Sequence, residues 1–172
     1  MVRIRKFSDA ERRELVLRNW PDAAENSTGI MRQLLSAVER LRQTFAPQIA
    51  AHGIQPGDFD VLATLRTLGE PYELSPTAIY RQRCLSSGGL TKILHRLEDA
   101  GLVKRHSNPR DKRSQLISLT SKGKRVVEAT MKDLARFEGT LLAEFQQSET
   151  RLLSSLLEKL QQSIDAKAAG DG

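Results

Sequence analysis

SSGGLTKILHRLEDAGL, residues 86–102, decides how the rest of the chain is read. Leu90, Ile93, Leu94 and Leu97 recur at i, i+3, i+4 and i+7, so at 100° per residue they share one buried helical face. The opposite face carries Gly88, Lys92, His95 and Asp99, flanked by Thr91 and Arg96. Ser86 or Ser87 can cap this helix, and Gly101 can close it. A helix that enters on small residues and then turns donors and acceptors outward suits close approach to a polyanion. Exposed amides and hydroxyls at its positive end can meet a phosphate, and the absent side chains let the backbone come near.

The neighbours extend this pattern. Upstream, LSPTAIYRQRC leaves room for about two helical turns, with Ser75 as cap and Pro76 at the first helical position, where its missing amide hydrogen costs nothing. Before it, DFDVLATLRTLG (58–69) predicts a helix with Val61, Leu62, Leu65 and Leu68 inward and Gly69 as terminator. Downstream the period changes: LVKRHS and QLISLT read as two strands, separated by NPRDKRS, a turn built from Asn, Pro and Asp. That hairpin would present Arg110, Lys112 and Arg113 at its tip, in a loop longer than the tightest hairpins use. Helix, short helix, turn, polar-faced helix and basic hairpin are the order of a helix-turn-helix followed by a wing. Charge follows the same map. Residues 101–125 hold eight lysines and arginines against Asp111 alone, a surplus of seven in a chain whose net charge is +6. Such concentration is what a phosphate-binding surface needs, since each neutralised phosphate releases counterions.

The flanks are helical. Ser8 with Glu11 forms a capping-box signature for DAERRELVLRNW, which Pro21 should stop. Ile30, Met31, Leu34, Leu35, Val38, Leu41 and Phe45 line one side of a second helix, with Pro47 expected just beyond its end. After the hairpin come two more apolar runs, one through Leu134, Phe137, Leu141 and Phe145 and one through Leu152, Leu153, Leu156, Leu157, Leu160 and Ile164. Ser148 is the expected cap of the last helix, and the AKAAGDG end is expected to fray. The fold class is mainly α with a small β-wing. Four parts follow: an accessory helix in 1–22, a dimerisation helix and loop in 23–57, a winged helix-turn-helix in 58–121, and C-terminal dimerisation helices in 122–172. The stripes exceed what one small winged helix can bury, which predicts an interface including Ile30, Leu34, Leu141, Phe145, Leu153, Leu156 and Leu160.

Other classes are excluded. No apolar run is long enough to span a bilayer and the N-terminus lacks the apolar centre of a secretory signal, so a soluble, cytoplasmic protein without a membrane partner is expected. One cysteine and three scattered histidines leave no disulfide and argue against a metal site. SSGGLTK lacks the spacing of a phosphate-cradling loop, and no group orients Cys84 toward His95 or His106 for thiol catalysis, so neither an enzyme nor a cofactor is expected.

The segment 74–123 resembles the DNA-binding core of the MarR family of winged-helix regulators. The family reads approximately T-R-x-x-D-R-L-E-x-x-G-L-V-x-R, then D-P-x-D-R-R, then L-T-x-x-G. Thr91, Arg96, Leu97, Glu98, Gly101, Leu102, Val103, Arg105, Pro109, Asp111, Arg113, Leu119, Thr120 and Gly123 agree with it, whereas Lys92, His95 and Asn108 depart. The resemblance implies a homodimer whose recognition helices enter successive major grooves of double-stranded DNA while Arg113 of each wing enters a minor groove, with Asp111 holding the wing. The DNA-contacting set is then Ser86, Ser87, Gly88, Thr91, Lys92, His95, Arg96, Arg110, Lys112 and Arg113. The added N-terminal helix ending in RNWP is similar to the branch that includes PecS and urate-responsive repressors. This implies that Trp20, with Asp58 or Asp60, lines a pocket for a small anionic aromatic ligand. Burial in the core is the competing reading of Trp20.

The function expected is a ligand-responsive repressor acting on a pseudo-palindromic operator. Its effector, held between the dimer helices and the winged helix, would favour a spacing of recognition helices unsuited to DNA. An effector-independent architectural DNA-binding protein and a redox regulator sensing through Cys84 are the alternatives.

Overall fold

A computed structural model of the chain describes residues 7–22, 29–83, 87–109 and 111–170. The first helix, α1 (Asp9–Asn19), starts at the expected capping box: Glu11 N donates to Ser8 Oγ at 3.2 Å, and Ser8 N donates to Glu11 Oε2 at 2.8 Å. The latter bond holds the Glu11 carboxyl below its ordinary pKa, because it favours the charged form. The second helix, α2 (Ile30–Ala50), continues through Pro47 instead of ending before it. Proline removes only its own amide from the ladder, and the following turn is retained by burial of Ile49 and by Ala51 N donating to the Pro47 carbonyl at 3.1 Å.

Helix α3 (Pro56–Thr67) begins two residues before the expected start, with Pro56 in the first turn and Gln55 N donating to Asp58 Oδ2 at 2.8 Å. It is the centre of the fold. Val61, Leu62, Ala63, Thr64 and Leu65 are consecutive and all buried, so this helix is enclosed on every side rather than on one stripe. The chain leaves it at Gly69, whose φ of 75° is the left-handed conformation that a helix terminator needs.

A strand of two residues follows, β1 (Glu73–Leu74), which no sequence period announced. Helix α4 (Pro76–Arg83) is capped as expected, Ala78 N donating to Ser75 Oγ at 3.2 Å. Helix α5 (Ser87–Asp99) buries Leu90, Leu94 and Leu97, each worth about 2 kcal/mol of transfer free energy. It closes in a Schellman motif: Gly101 N bonds the Glu98 carbonyl and Leu102 N the Leu97 carbonyl, with Gly101 at φ 67°.

The wing is β2 (Val103–Asn108) and β3 (Asp111–Leu119), with β3 central in an antiparallel sheet of order β1-β3-β2. The strands run further into NPRDKRS than expected. Asn108 pairs with Asp111 after an irregularity at Ser107/Asn108, so the connection is shorter than the sequence suggested, its polar residues being held in the ladder by side-chain bonds described below. Helix α6 (Ser121–Leu141) starts at a clamp. Thr120 Oγ1 accepts from Gly123 N at 3.0 Å and donates to the Gly101 carbonyl at 2.8 Å, while Thr120 N donates to the Leu102 carbonyl at 3.1 Å. A Cβ on Gly123 would overlap the Leu102 carbonyl oxygen, which gives the L-T-x-x-G pattern its steric reason. Val127 and Thr130 of α6 are buried, Val127 in the same core as α3, α5 and the sheet.

Helix α7 (Gln147–Gly170) starts one residue before Ser148, with Gln146 N bonded to Glu149 Oε2 at 2.8 Å, and it stays helical to Gly170, although fraying is expected from residue 166 onward; residues 171–172 lie outside the described residues. None of its residues is buried. Among the described residues no helix is long and apolar enough to cross a membrane.

Candidate nucleic-acid interface

Burying Leu90, Leu94 and Leu97 turns Thr91, Lys92 and His95 of α5 outward, all three exposed. The side chain of His95 is 69% exposed and its Nδ1 lies 4.0 Å from Glu98 Oε2. Ser87 and Gly88 open α5, whereas Ser86 lies outside the described residues, as do Arg110 and Cys84.

Arg96 is placed differently from its expected role. Its Nε and Nη2 both bond the carboxylate of Asp58, with Nε 3.0 Å from each oxygen, and Asp58 is only 2% exposed. The hydrogen bond to Asp58 raises the Arg96 pKa above its ordinary value, against the opposing effect of desolvation. The pair therefore locks α5 to the start of α3, and two nitrogens of the partly exposed guanidinium are committed to it. The same contact corrects the reading of Asp58 as a ligand partner, since both its oxygens are already used by Arg96 and Gln55. Asp60 is half-buried on α3. Trp20 caps α1 through its backbone and is 66% exposed, so it is not part of this chain's core.

A second fork joins α5 to the wing. Arg105 Nε donates to Glu98 Oε1 at 2.9 Å, and its Nη1 to Gln115 Oε1 at 3.1 Å. The wing end is braced by Asp111, whose Oδ1 accepts from Arg113 N at 3.0 Å and whose carbonyl accepts from Ser114 Oγ at 3.0 Å. Asn108 Nδ2 donates to Ser114 Oγ at 2.9 Å, closing the network from the opposite strand. The Arg113 side chain is left exposed beside it. Lys112 lies in β3. Glu98 and Arg105 enter the sequence reading only as positions that agree with the family pattern, without a role, and neither Gln115 nor Ser114 is singled out in it. The opposite charges of Glu98 and Arg105 signal a pair, but a helix end, a turn and a strand start separate them.

Between α4 and α5 lies a cleft of about 400 Å³, floored by Tyr80, Leu90 and Leu94 and rimmed by Thr91, His95 and Arg105. The expected interface residues Ile30, Leu141, Phe145, Leu153 and Leu156 are exposed apolar side chains, and Leu34 and Leu160 are half-buried.

The MarR family model matches residues 52–114, from the loop before α3 into the start of β3. Over that segment the chain is similar to the MarR family. Among similar proteins, the HTH-type transcriptional regulator PecS of Dickeya dadantii is 34% identical over 107 residues, which cover 62% of this chain and 64% of PecS. The match thus spans less than two thirds of that relative. A cysteine-to-serine mutant of MarR from Escherichia coli, complexed with operator DNA, has the same fold, with a TM-score of 0.68 at 23% identity over 85% of this chain and 97% of that one. An organohalide-sensing regulator in its 2,4-dichlorophenol-bound form shares it too, with a TM-score of 0.66 at 18% identity over 95% of this chain and 89% of that one. The relatives are transcriptional regulators, not enzymes.

Proposed function

We propose that this chain is a sequence-specific regulator that binds double-stranded DNA as a homodimer, with α5 in the major groove and the wing beside it. The observation that carries this reading is the pairing of an exposed polar face, Thr91, Lys92 and His95, with an exposed Arg113 on a braced wing. Two forks, Asp58–Arg96 and Glu98–Arg105, hold α5 to the core and to the wing, so the two contacting elements act as one rigid tool. The operator-bound form of the Escherichia coli relative supports the same use of the fold.

The dimer rests on α7, where Leu152, Leu153, Leu156, Leu157 and Ile164 are all exposed in the single chain, together with Ile30, Met31 and Leu35 of α2. Apolar area of this kind marks an interface. The two-fold axis implies half-sites about one helical turn apart.

A small anionic aromatic effector is the regulatory part of the proposal. The cleft between α4 and α5 has a volume in the range of ligand sites, an apolar floor, and Arg105, already paired with Glu98, at its rim. Occupancy there would take Thr91 and His95 from DNA, so the ligand would favour the unbound state by differential affinity. Trp20, exposed in the single chain, is available to an effector only if the partner chain encloses it.

Footprinting on genomic fragments tests the function. A discrete protected palindrome is expected, released by aromatic acids. Uniform coverage would instead identify an architectural protein.

A further inference from the structure

We infer that His95 is the residue by which this chain discriminates between bases. The inference rests on the regulator reading above and assigns the selective contact within it. The outward face of α5 offers few groups able to read a base edge. Arg96, the residue best suited to bidentate recognition, is bound on two of its nitrogens by buried Asp58. Glu98 is occupied by Arg105, and Asp99 carries the same charge sign as the phosphates. Lys92 is exposed, but its ammonium is a flexible, strongly hydrated point charge that binds a phosphate as readily as a base.

His95 differs in three respects. It stands three residues after Lys92, on the same face of the helix. Its ring is largely exposed, and its Nδ1 lies 4.0 Å from Glu98 Oε2, a carboxylate already bonded by Arg105, so the ring is not consumed by a hydrogen bond within the fold. Its Nε2 has no hydrogen-bond or ion-pair partner among the described residues. A planar ring with one directed nitrogen matches the major groove, where each base pair shows a distinct order of donors, acceptors and methyl groups.

The test uses the full-length chain and His95→Ala, bound to the footprinted operator and to versions with each half-site base pair replaced in turn, at two salt concentrations. Wild type should lose about tenfold to a hundredfold for replacement at one base pair per half-site. His95→Ala should bind all four versions at that position alike, keep the penalties elsewhere, keep the wild-type slope of affinity against salt, and melt at the wild-type temperature. Retention of every wild-type preference by His95→Ala would overturn the assignment. Uniform weakening on all versions with a shallower salt slope would also overturn it, because that is the signature of a lost phosphate contact. A wild-type protein that protects no discrete site would sink the regulator reading itself, a result separable from either.

Discussion

Asp58 and Arg96, 38 residues apart in sequence, meet as a two-nitrogen, two-oxygen fork that fastens α5 to α3, the central helix of the core. The two partners are unequal. Asp58 is enclosed, whereas the Arg96 side chain is 40% exposed. Removing the arginine strands a buried carboxylate; removing the carboxylate frees a guanidinium that can turn to water. Arg96→Ala is therefore expected to cost about 3 kcal/mol and Asp58→Asn about half of that, part of it from the weakened cap at Gln55. Urea denaturation of the two variants checks the order, and equal losses would mean that the fork is not the dominant contact.

Gly123→Ala tests the clamp at the start of α6. The added methyl group meets the Leu102 carbonyl, which is backbone and already bonded by Thr120. A loss of about 2 kcal/mol is expected, as for other overpacked sites. An unchanged denaturation midpoint would show that the α5–β2 junction yields freely.

Arg113→Ala should weaken operator binding and reduce the slope of log affinity against log salt by about one per wing. Asp111→Ala should weaken binding less at the same salt slope, because it loosens the brace on Arg113 N without removing the cation. Filter binding at two salt concentrations separates these effects.

Charges placed on α7 should break the assembly. Leu153→Asp with Leu156→Asp puts carboxylates on side chains 43% and 54% exposed in the single chain, so the fold of α3 to α6 should survive. Sedimentation should report a monomer, and operator affinity should fall as the second half-site contact is lost. A dimer that persists would move the interface elsewhere.

Acid should loosen α1. Glu11 titrates below its ordinary carboxylate value in the folded helix, so the stabilisation it gives is present above that ordinary value and is lost as pH falls through the lowered one. Trp20, the only tryptophan, sits at the end of α1 and reports the change by fluorescence. Glu11→Gln should abolish the acid transition in that signal.

Much of this architecture is legible in the residues because it depends on local rules. The capping box at Ser8, the Ser75 cap, the terminators Gly69 and Gly101 and the apolar period of α5 all act over a few positions, and the structure follows them. What escapes is set by tertiary contact. The strand β1 is two residues long and exists because β3 offers it an edge, with Glu73 opposite Ser118. Pro47 stays helical because burial at Ile49 outweighs a local preference. The engagement of Arg96 depends on an acid 38 residues earlier, which no periodicity can reveal. Trp20 reads as core by composition and is exposed in the single chain.

None of the 24 residues of α7, Gln147–Gly170, is buried in the single chain. An isolated helix of that length draws little stability from propensity alone, so its order must be conferred by whatever covers it. If that cover is a second copy, folding of the C-terminal arm becomes second order in protein: dilution melts it, and abundance sets it. Gene dosage would then enter regulation twice, through the number of molecules and through the fraction of them competent to act.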